Sequence, residues 1–478
     1  MPQAEDGGQA TGRSPWPALM VVLSGSFMAI LDTFIVLVAA PAIQAGLHAS
    51  SAQVQLILVG YQVTYAVALI TGARLGDRYG RKRLFMAGMA AFVLCSVACA
   101  AAPNADALIV ARLVQGLSAA MMFPQVFSII QVMLPPQQRP RAFGALGAVI
   151  GVSTVAGQLI GGALIAANLF GTTWRPVFWV NVPVGLIALA LAAWLVPESR
   201  LPGTKRLDRP GAAVLTAALF LLVIPLVQGR QAGWPPWTWL SLAASAVAFA
   251  VFAMLELREQ AAGRTPIVAI RMFRERPFAI GIVLVLIAYA GVNSFFLILS
   301  LTLQDGLGQS ALGAGLAYTP LAVAFFFASL VAGRVAPRLG RRVLEAGGVI
   351  AVIGFASILA VTLTSGGQMT VGRLLAPLVL VGLGNGLLLP QLLNTVLARI
   401  PPAEVGMAAG VLSTGQQIGG AVGVALISIV FYGLLGSHGH GVATFASAFG
   451  GAVIGNLVIA AAATILVLAL PRTGAARG

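Results

Sequence analysis

Thirteen carboxylates are spread over the 478 residues, and one of them, Asp32, stands in the middle of an apolar run from about 17 to 42. The other twelve fall in loops or near the ends of such runs. If that run crosses a bilayer, Asp32 lies near the midplane, where inserting a charge costs about 2.5–3.5 kcal/mol. Its chemistry would then be proton binding. Low dielectric favours the neutral acid and a nearby cation favours the carboxylate, so an Asp shown each in turn takes up and releases a proton. The simpler reading is a packing Asp hydrogen-bonded to Ser, Thr or Gln. Arg112 lies inside another apolar run and is followed by Gln115 and Gly116. Either it snorkels to the interface, or it faces inward, where its charge biases the protonation of Asp32.

Three further patterns accompany this pair. From Gly72 to Arg83, turn glycines (Gly72, Gly76, Gly80) and Asp77 sit among five cations that include Arg78 and Arg81. A topogenic loop explains the cations but not Asp77, which can accept from a helix N-terminus and pair with Arg as a latch. Gly147, Gly151, Gly157, Gly161 and Gly162, with Gln158 among them, form a small-residue face that lets membrane helices approach closely. Metal chemistry has almost no ligands, since His48, His438 and His440 fall in expected loops. Cys95 and Cys99, four apart in one apolar run, read as small hydrophobes rather than as a disulfide.

The elements that must position these residues follow from composition. With 59% apolar residues, 9% charged and a mean hydropathy of +0.95, the chain cannot cover its surface in water, which excludes a soluble enzyme or binding module. It reads as an all-α polytopic membrane protein with fourteen spans, near 17–42, 53–73, 84–102, 107–131, 142–168, 176–196, 210–228, 237–256, 278–301, 312–333, 343–364, 374–397, 405–434 and 446–470. The first is read as a retained helix, not a signal peptide. With both termini cytoplasmic, 24 of the 28 Lys and Arg fall on the cytoplasmic side, leaving Arg112, Arg175, Arg230 and Arg373. The net charge of +15 therefore needs no nucleic acid, with anionic lipid as a secondary contact.

The chain also repeats itself. Arg74-Leu-Gly-Asp-Arg-Tyr-Gly-Arg-Lys82 is echoed by Arg334-Val-Ala-Pro-Arg-Leu-Gly-Arg-Arg342, Gly116-Leu-Ser-Ala-Ala-Met-Met-Phe-Pro-Gln125 by Gly382-Leu-Gly-Asn-Gly-Leu-Leu-Leu-Pro-Gln391, and Gly157-Gln-Leu-Ile-Gly-Gly-Ala163 by Gly415-Gln-Gln-Ile-Gly-Gly-Ala421. Three echoes in order at nearly one shift mark parallel repeats and point to alternating access between two halves. The expected organisation is an N-terminal tail (1–16), a six-helix bundle (17–200), two inserted helices with linkers (201–277), a second six-helix bundle (278–470) and a tail (471–478). Asn293 stands in the second half where the first has Asp32, so the polar position is kept without its charge.

These residues resemble the major facilitator superfamily. Gly72-Ala-Arg-Leu-Gly-Asp-Arg-Tyr-Gly-Arg-Lys82 is similar to its loop between helices 2 and 3, and Ala111-Arg-Leu-Val-Gln-Gly116 to its helix-4 motif. Trp174-Arg-Pro-Val-Phe-Trp-Val-Asn-Val-Pro-Val-Gly185 and Leu31-Asp-Thr-Phe-Ile-Val36 resemble the fourteen-helix drug:proton antiporter branch, DHA2. The resemblance implies a plasma (inner) membrane exporter of lipophilic compounds that uses the proton gradient and no cofactor. It implies Asp32 as coupling carboxylate, Arg112 assisting, Asp77 gating, and helix 5 as the antiporter helix, where Gln158 replaces the usual Pro and should leave the helix less kinked. Substrate-cavity candidates are Gln115, Met121, Asn293 and Gln416. An interior poor in carboxylates but containing Met121, Met122, Phe325, Phe326 and Phe327 suits neutral or amphipathic cargo. The chain reads as a monomer. The alternatives are an importer or symporter on the same fold and a membrane-embedded enzyme, which would need clustered acids or His at one face.

Overall fold

A computed structural model describes residues 14–168, 171–199, 209–229, 232–262, 268, 270–365, 368–398, 400–401, 404–436 and 441–470. Arg13, Arg200, Lys205, Arg206, Arg230, Arg264, Arg399, Arg472, Arg477, His438 and His440 lie outside them. The described residues contain no strand. The helices are α1 (Trp16–Leu47), α2 (Ser51–Tyr79), α3 (Arg81–Ala101), α4 (Ala105–Met133), α5 (Arg139–Ala167), α6 (Pro176–Trp179), α7 (Asn181–Leu195), α8 (Arg209–Gln228), α9 (Pro236–Ala261), α10 (Arg276–Leu301), α11 (Ala311–Leu339), α12 (Arg342–Thr364), α13 (Val371–Leu397), α14 (Val405–Leu435) and α15 (Val442–Ala469). With α6 and α7 forming one span interrupted at Val180, every expected span has its helix. Thirteen are long and apolar enough to cross a membrane, and α8 contributes a shorter apolar stretch, Pro210–Leu226.

One element differs from the sequence expectation. The segment Gly72 to Arg83, read as a loop, is helical except at Gly80, whose φ of +107° separates α2 from α3. Glycines 72 and 76 do not break α2 because each makes room for α4. A side chain at Gly72 would meet the Ala120 carbonyl, and one at Gly76 the Gln125 side chain. Gln125 in turn donates to the Gly72 carbonyl at 3.0 Å. Tertiary packing thus overrides the helix-breaking tendency of glycine. The start of α2 is set more locally, by a reciprocal capping box between Ser50 and Gln53.

The repeat is visible in the packing. α1 lies on α5 and α7, α2 on α4, and α3 on α4 and α7, while α10 lies on α14 and α15, α11 on α13, and α12 on α13 and α15. The two sets meet through equivalent pairs, α5 with α11 and α2 with α14. α8 and α9 pair with each other, tied by Ser241 and Ser245 hydroxyls that donate to the Leu221 and Ala218 carbonyls, each at 2.8 Å. α8 also touches both α2 and α14.

The apolar core is distributed unevenly along the helices. At the end carrying Arg74 to Arg83, here the cationic end, one continuous core joins both sets and α8, with Val22, Phe85, Phe127 and Phe143 in the same cluster as Leu219, Leu392, Met407 and Ala408. At the opposite end the buried cores are separate, one around Ile35, Val36, Leu108 and Phe178 and the other around Phe295, Leu378, Phe431 and Phe449. Both halves therefore share a core only at the cationic end.

Candidate functional site

Asp32 and Arg112, eighty residues apart in sequence, meet inside the first half. Asp32 is 0% exposed and Arg112 1%, and an Arg112 guanidinium nitrogen pairs directly with Asp32 Oδ2. Arg112 stands two turns inside α4, facing the bundle, so the snorkelling alternative does not describe it. It has further partners: Nη1 also reaches Gln115 Oε1 at 2.8 Å and Nε the Ile57 carbonyl of α2 at 3.2 Å. The guanidinium carbon lies 4.3 Å from the ring centroid of Tyr61, within cation–π range.

The other carboxylate oxygen has two amide donors. Gln115 Nε2 reaches Asp32 Oδ1 at 3.1 Å and Asn181 Nδ2, at the start of α7, reaches it at 2.9 Å. Both amides also donate to Ser96 Oγ on α3, at 3.0 and 3.4 Å. Residues of α1, α2, α3, α4 and α7 are therefore linked in one network around a single carboxylate, whose donors come from α4 and α7. A charged pair in this setting holds together only while both partners are present; removing one leaves an uncompensated buried charge, typically costing about 3–5 kcal/mol. Sequence reasoning missed Asn181, Ser96 and Tyr61. Asn181 was legible in one respect, as a polar residue in an otherwise apolar span directly after a helix break.

The proposed latch residues divide. Asp77, 0% exposed, is gripped by Arg81 at 2.9 Å and lies 3.8 Å from Arg74. A side chain at Gly406, at the start of α14, would overlap the Asp77 carboxylate, so the two halves touch there without a Cβ between them. Gly80 is the hinge between α2 and α3, and Glu198, which the sequence reading did not single out, seats against it. The Glu198 carboxylate accepts the Lys82 and Arg83 backbone N–H groups, each at 3.2 Å, thereby capping α3. Arg78 rests on the Tyr79 ring at 5.0 Å, away from Asp77. Gly72 packs against α4 instead of taking part in the latch.

The small-residue face of α5 also divides. Near the cationic end Gly144 and Gly147 abut Ser329 of α11, and Gly151 abuts Phe325. Farther along, Gly157 meets Leu31 and Phe34, and Gly161 meets Ile35, all on α1 of the same half. The two groups project roughly a quarter-turn apart at 3.6 residues per turn, so one stripe in sequence serves two neighbours. α5 runs unbroken through Gln158, whose side chain lies beside Gly315 of α11. Gly162 is partly exposed.

Of the cavity candidates, Gln115 belongs to the Asp32 cluster, and Met121 lies between Gly72 of α2 and Gly88 of α3. Asn293 presses its amide against Gly420 of α14, and Gln416 donates to Tyr289 Oη at 3.1 Å. Phe325 is buried at the α5–α11 contact while Phe327 points outward, 59% exposed. The halves also meet through Phe34 and Phe296, with ring centroids 6.5 Å apart. Among the described residues, no group of three or more His, Cys, Asp or Glu could hold a metal. Cys95 and Cys99 are free thiols.

Two parallel sets of membrane helices, related by a repeat, with a buried ion pair inside the first, define the architecture of a secondary transporter. The sequence profile of the Major Facilitator Superfamily matches residues 22–424 and again 281–477. The chain belongs to that superfamily; it is a multi-pass membrane transporter and not an enzyme. It is 39% identical to a probable actinorhodin transporter of Streptomyces coelicolor over 91% of this chain and 77% of the relative. It is 34% identical to the tetracenomycin C resistance and export protein of Streptomyces glaucescens, over 88% and 77%. With the puromycin resistance protein of Streptomyces alboniger the identity is 32%, over 95% and 89%. Among solved structures, a proton:xylose symporter bound to a bromo-deoxyglucose has the same fold, with a TM-score of 0.68 at 14% identity over 96% of each chain. The human organic anion transporter MFSD10 superposes with a TM-score of 0.65 at 15% identity, covering 95% of this chain and 100% of that one.

Proposed function

We propose that this protein exports a neutral or amphipathic lipophilic small molecule in exchange for protons, by alternating access between residues 17–200 and residues 278–470. The observation that carries the reading is the fully enclosed Asp32–Arg112 pair, the one carboxylate–guanidinium contact at mid-depth among the described residues. A proton arriving at Asp32 cancels its charge and loosens the ion pair. Arg112 then keeps Gln115, the Ile57 carbonyl and the Tyr61 face as partners, which offset part of the cost of a buried cation whose counter-charge is cancelled. That spare capacity makes the pair a reversible switch. The names of the relatives, an actinorhodin transporter and tetracenomycin and puromycin resistance proteins, support export of antibiotic-like compounds.

In this reading Asp77, Arg81 and Gly406 close the cationic end, which faces the cytoplasm with both termini, and the protein works as a monomer in the plasma membrane with anionic lipid against its cations. The test is drug-driven proton movement in inverted vesicles. Wild type should release protons from the lumen on addition of cargo, whereas Asp32→Asn, correctly inserted, should release none. Release at the wild-type rate from Asp32→Asn would remove the carboxylate from the mechanism, and proton movement in the same direction as cargo would make the protein a symporter.

A further inference from the structure

The inserted pair α8–α9 is unnecessary for a two-half transporter, yet it is placed at a mechanically sensitive position. α8 touches α2 of the first half and α14 of the second, across the seam where Asp77 meets Gly406. Among the described residues, neither α8 nor α9 makes a comparable contact with the equivalent seam, α5 with α11. Leu215 and Leu219 of α8 and Phe252 of α9 share the continuous core of the cationic end with Met407 and Ala408 of α14.

The segment after α9 is tied into the same place. Glu256, near the C-terminal end of a helix otherwise largely lipid-facing, is 0% exposed, and its Oε2 accepts the backbone N–H of Val268 at 3.1 Å. Val268 and Met272 are buried in the common core. Arg271, in the 3-10 turn Ile270–Arg274, forms an ion pair with Glu404, the residue preceding α14. Arg74, 8% exposed on α2, lies within electrostatic reach of Asp77, Glu256 and Glu404, which come from α2, from the inserted pair and from the second half. Carboxylates from three parts of the chain thus act electrostatically on one guanidinium.

We propose that α8, α9 and the turn that follows form a strap across the α2–α14 seam, with Glu256 as its positioning residue, holding the cationic end shut in the resting protein. The strap grips the first half through α8 on α2 and the charge of Arg74. It grips the second through α8 on α14 and Arg271 on Glu404. Glu256 fixes the distance between these grips by holding Val268, just ahead of the turn that carries Arg271, so its loss slackens both. The proposal rests on the alternating-access reading, since a strap matters only if the seam opens.

Pulsed electron paramagnetic resonance on the full-length protein in liposomes tests it, with nitroxides on unnatural residues at Tyr79 and Ala398. Both sites are exposed, one on each half at the cationic end. Glu256→Gln, Arg271→Glu and Glu404→Arg are each expected to raise the long-distance population about fivefold. The exchange Arg271→Glu with Glu404→Arg should return it to the wild-type value, which a merely structural role would not do. An unchanged distribution in Glu256→Gln, or an exchange that fails to restore closure, overturns the strap. If Glu256→Gln does not insert, the exchange decides by itself. Proton movement on cargo addition is recorded in the same liposomes. Its absence in wild type would defeat the transport reading, while its presence beside unmoved distances would defeat the strap alone.

Discussion

Arg112 carries a five-donor guanidinium into the closed interior of the first half, where its partners must come from the protein. They come from α1, α2, α4 and an aromatic face, which explains why one sequence position was readable as a cation in a span while its partners were not. Asp32 and Arg112 stand out against an apolar background. Ser96 and Asn181 are ordinary polar residues until the fold brings α3 and α7 to them. Asn181 offers a graded test of the centre, because replacing it removes a donor to Asp32 Oδ1 and leaves the ion pair in place. Asn181→Leu should keep export but move its pH profile by about 1–2 units toward higher pH, the size of one lost hydrogen bond to a charged acceptor. The measurement is cargo uptake into inverted vesicles across a pH series. A superimposable profile would show that Asn181 only packs.

Helices rather than single residues set the behaviour of the glycine stripe. The fourteen spans were legible because apolar runs bounded by charge and Pro leave few choices, and the α5 stripe was legible as a close-packing face. Its division between two partners was not, because the phase of a helix relative to its neighbours is a tertiary fact. The division gives the same substitution two different outcomes. A methyl at Gly144 would stand 2.5 Å from the Ser329 carbonyl on α11, and the seam relieves this by opening. Gly144→Ala should therefore slow export severalfold while leaving the melting temperature in detergent nearly unchanged. A methyl at Gly157 would stand 2.9 Å from both the Leu31 carbonyl and Phe34 Cβ of α1, within one half. Gly157→Ala has no seam to open and should cost about 1–3 kcal/mol of overpacking, read as a clear fall in melting temperature. The segment between α2 and α3 misled the sequence reading for a related reason, since its glycines serve the contact with α4 and only Gly80 takes a backbone angle that ends a helix.

At the scale of the molecule, the shared core at the cationic end and the separate cores at the other describe a transporter closed on one side. A cysteine in place of Phe296, labelled with a membrane-impermeant thiol reagent, should react from the side opposite the cations and be slowed from the cationic side. The reverse preference would invert the resting state. The repeat was visible in three sequence echoes, but the seat of α8 across α2 and α14 was not, because an insertion carries no record of what it rests on. The repeat also has a chemical asymmetry. Where the first half joins Asp32 to Asn181, the second joins Ser294 to Asn456 at 3.0 Å, with Asn293 alongside and no carboxylate. In the exchange proposed above, a cycle that protonates Asp32 alone would carry one proton. At roughly 2.3 kcal/mol per 100 mV, a proton motive force of about 150 mV then supplies about 3.5 kcal/mol per molecule exported, enough for a gradient of roughly 300-fold. For a neutral cargo that is the ceiling on how far the cell can lower its internal concentration through this protein.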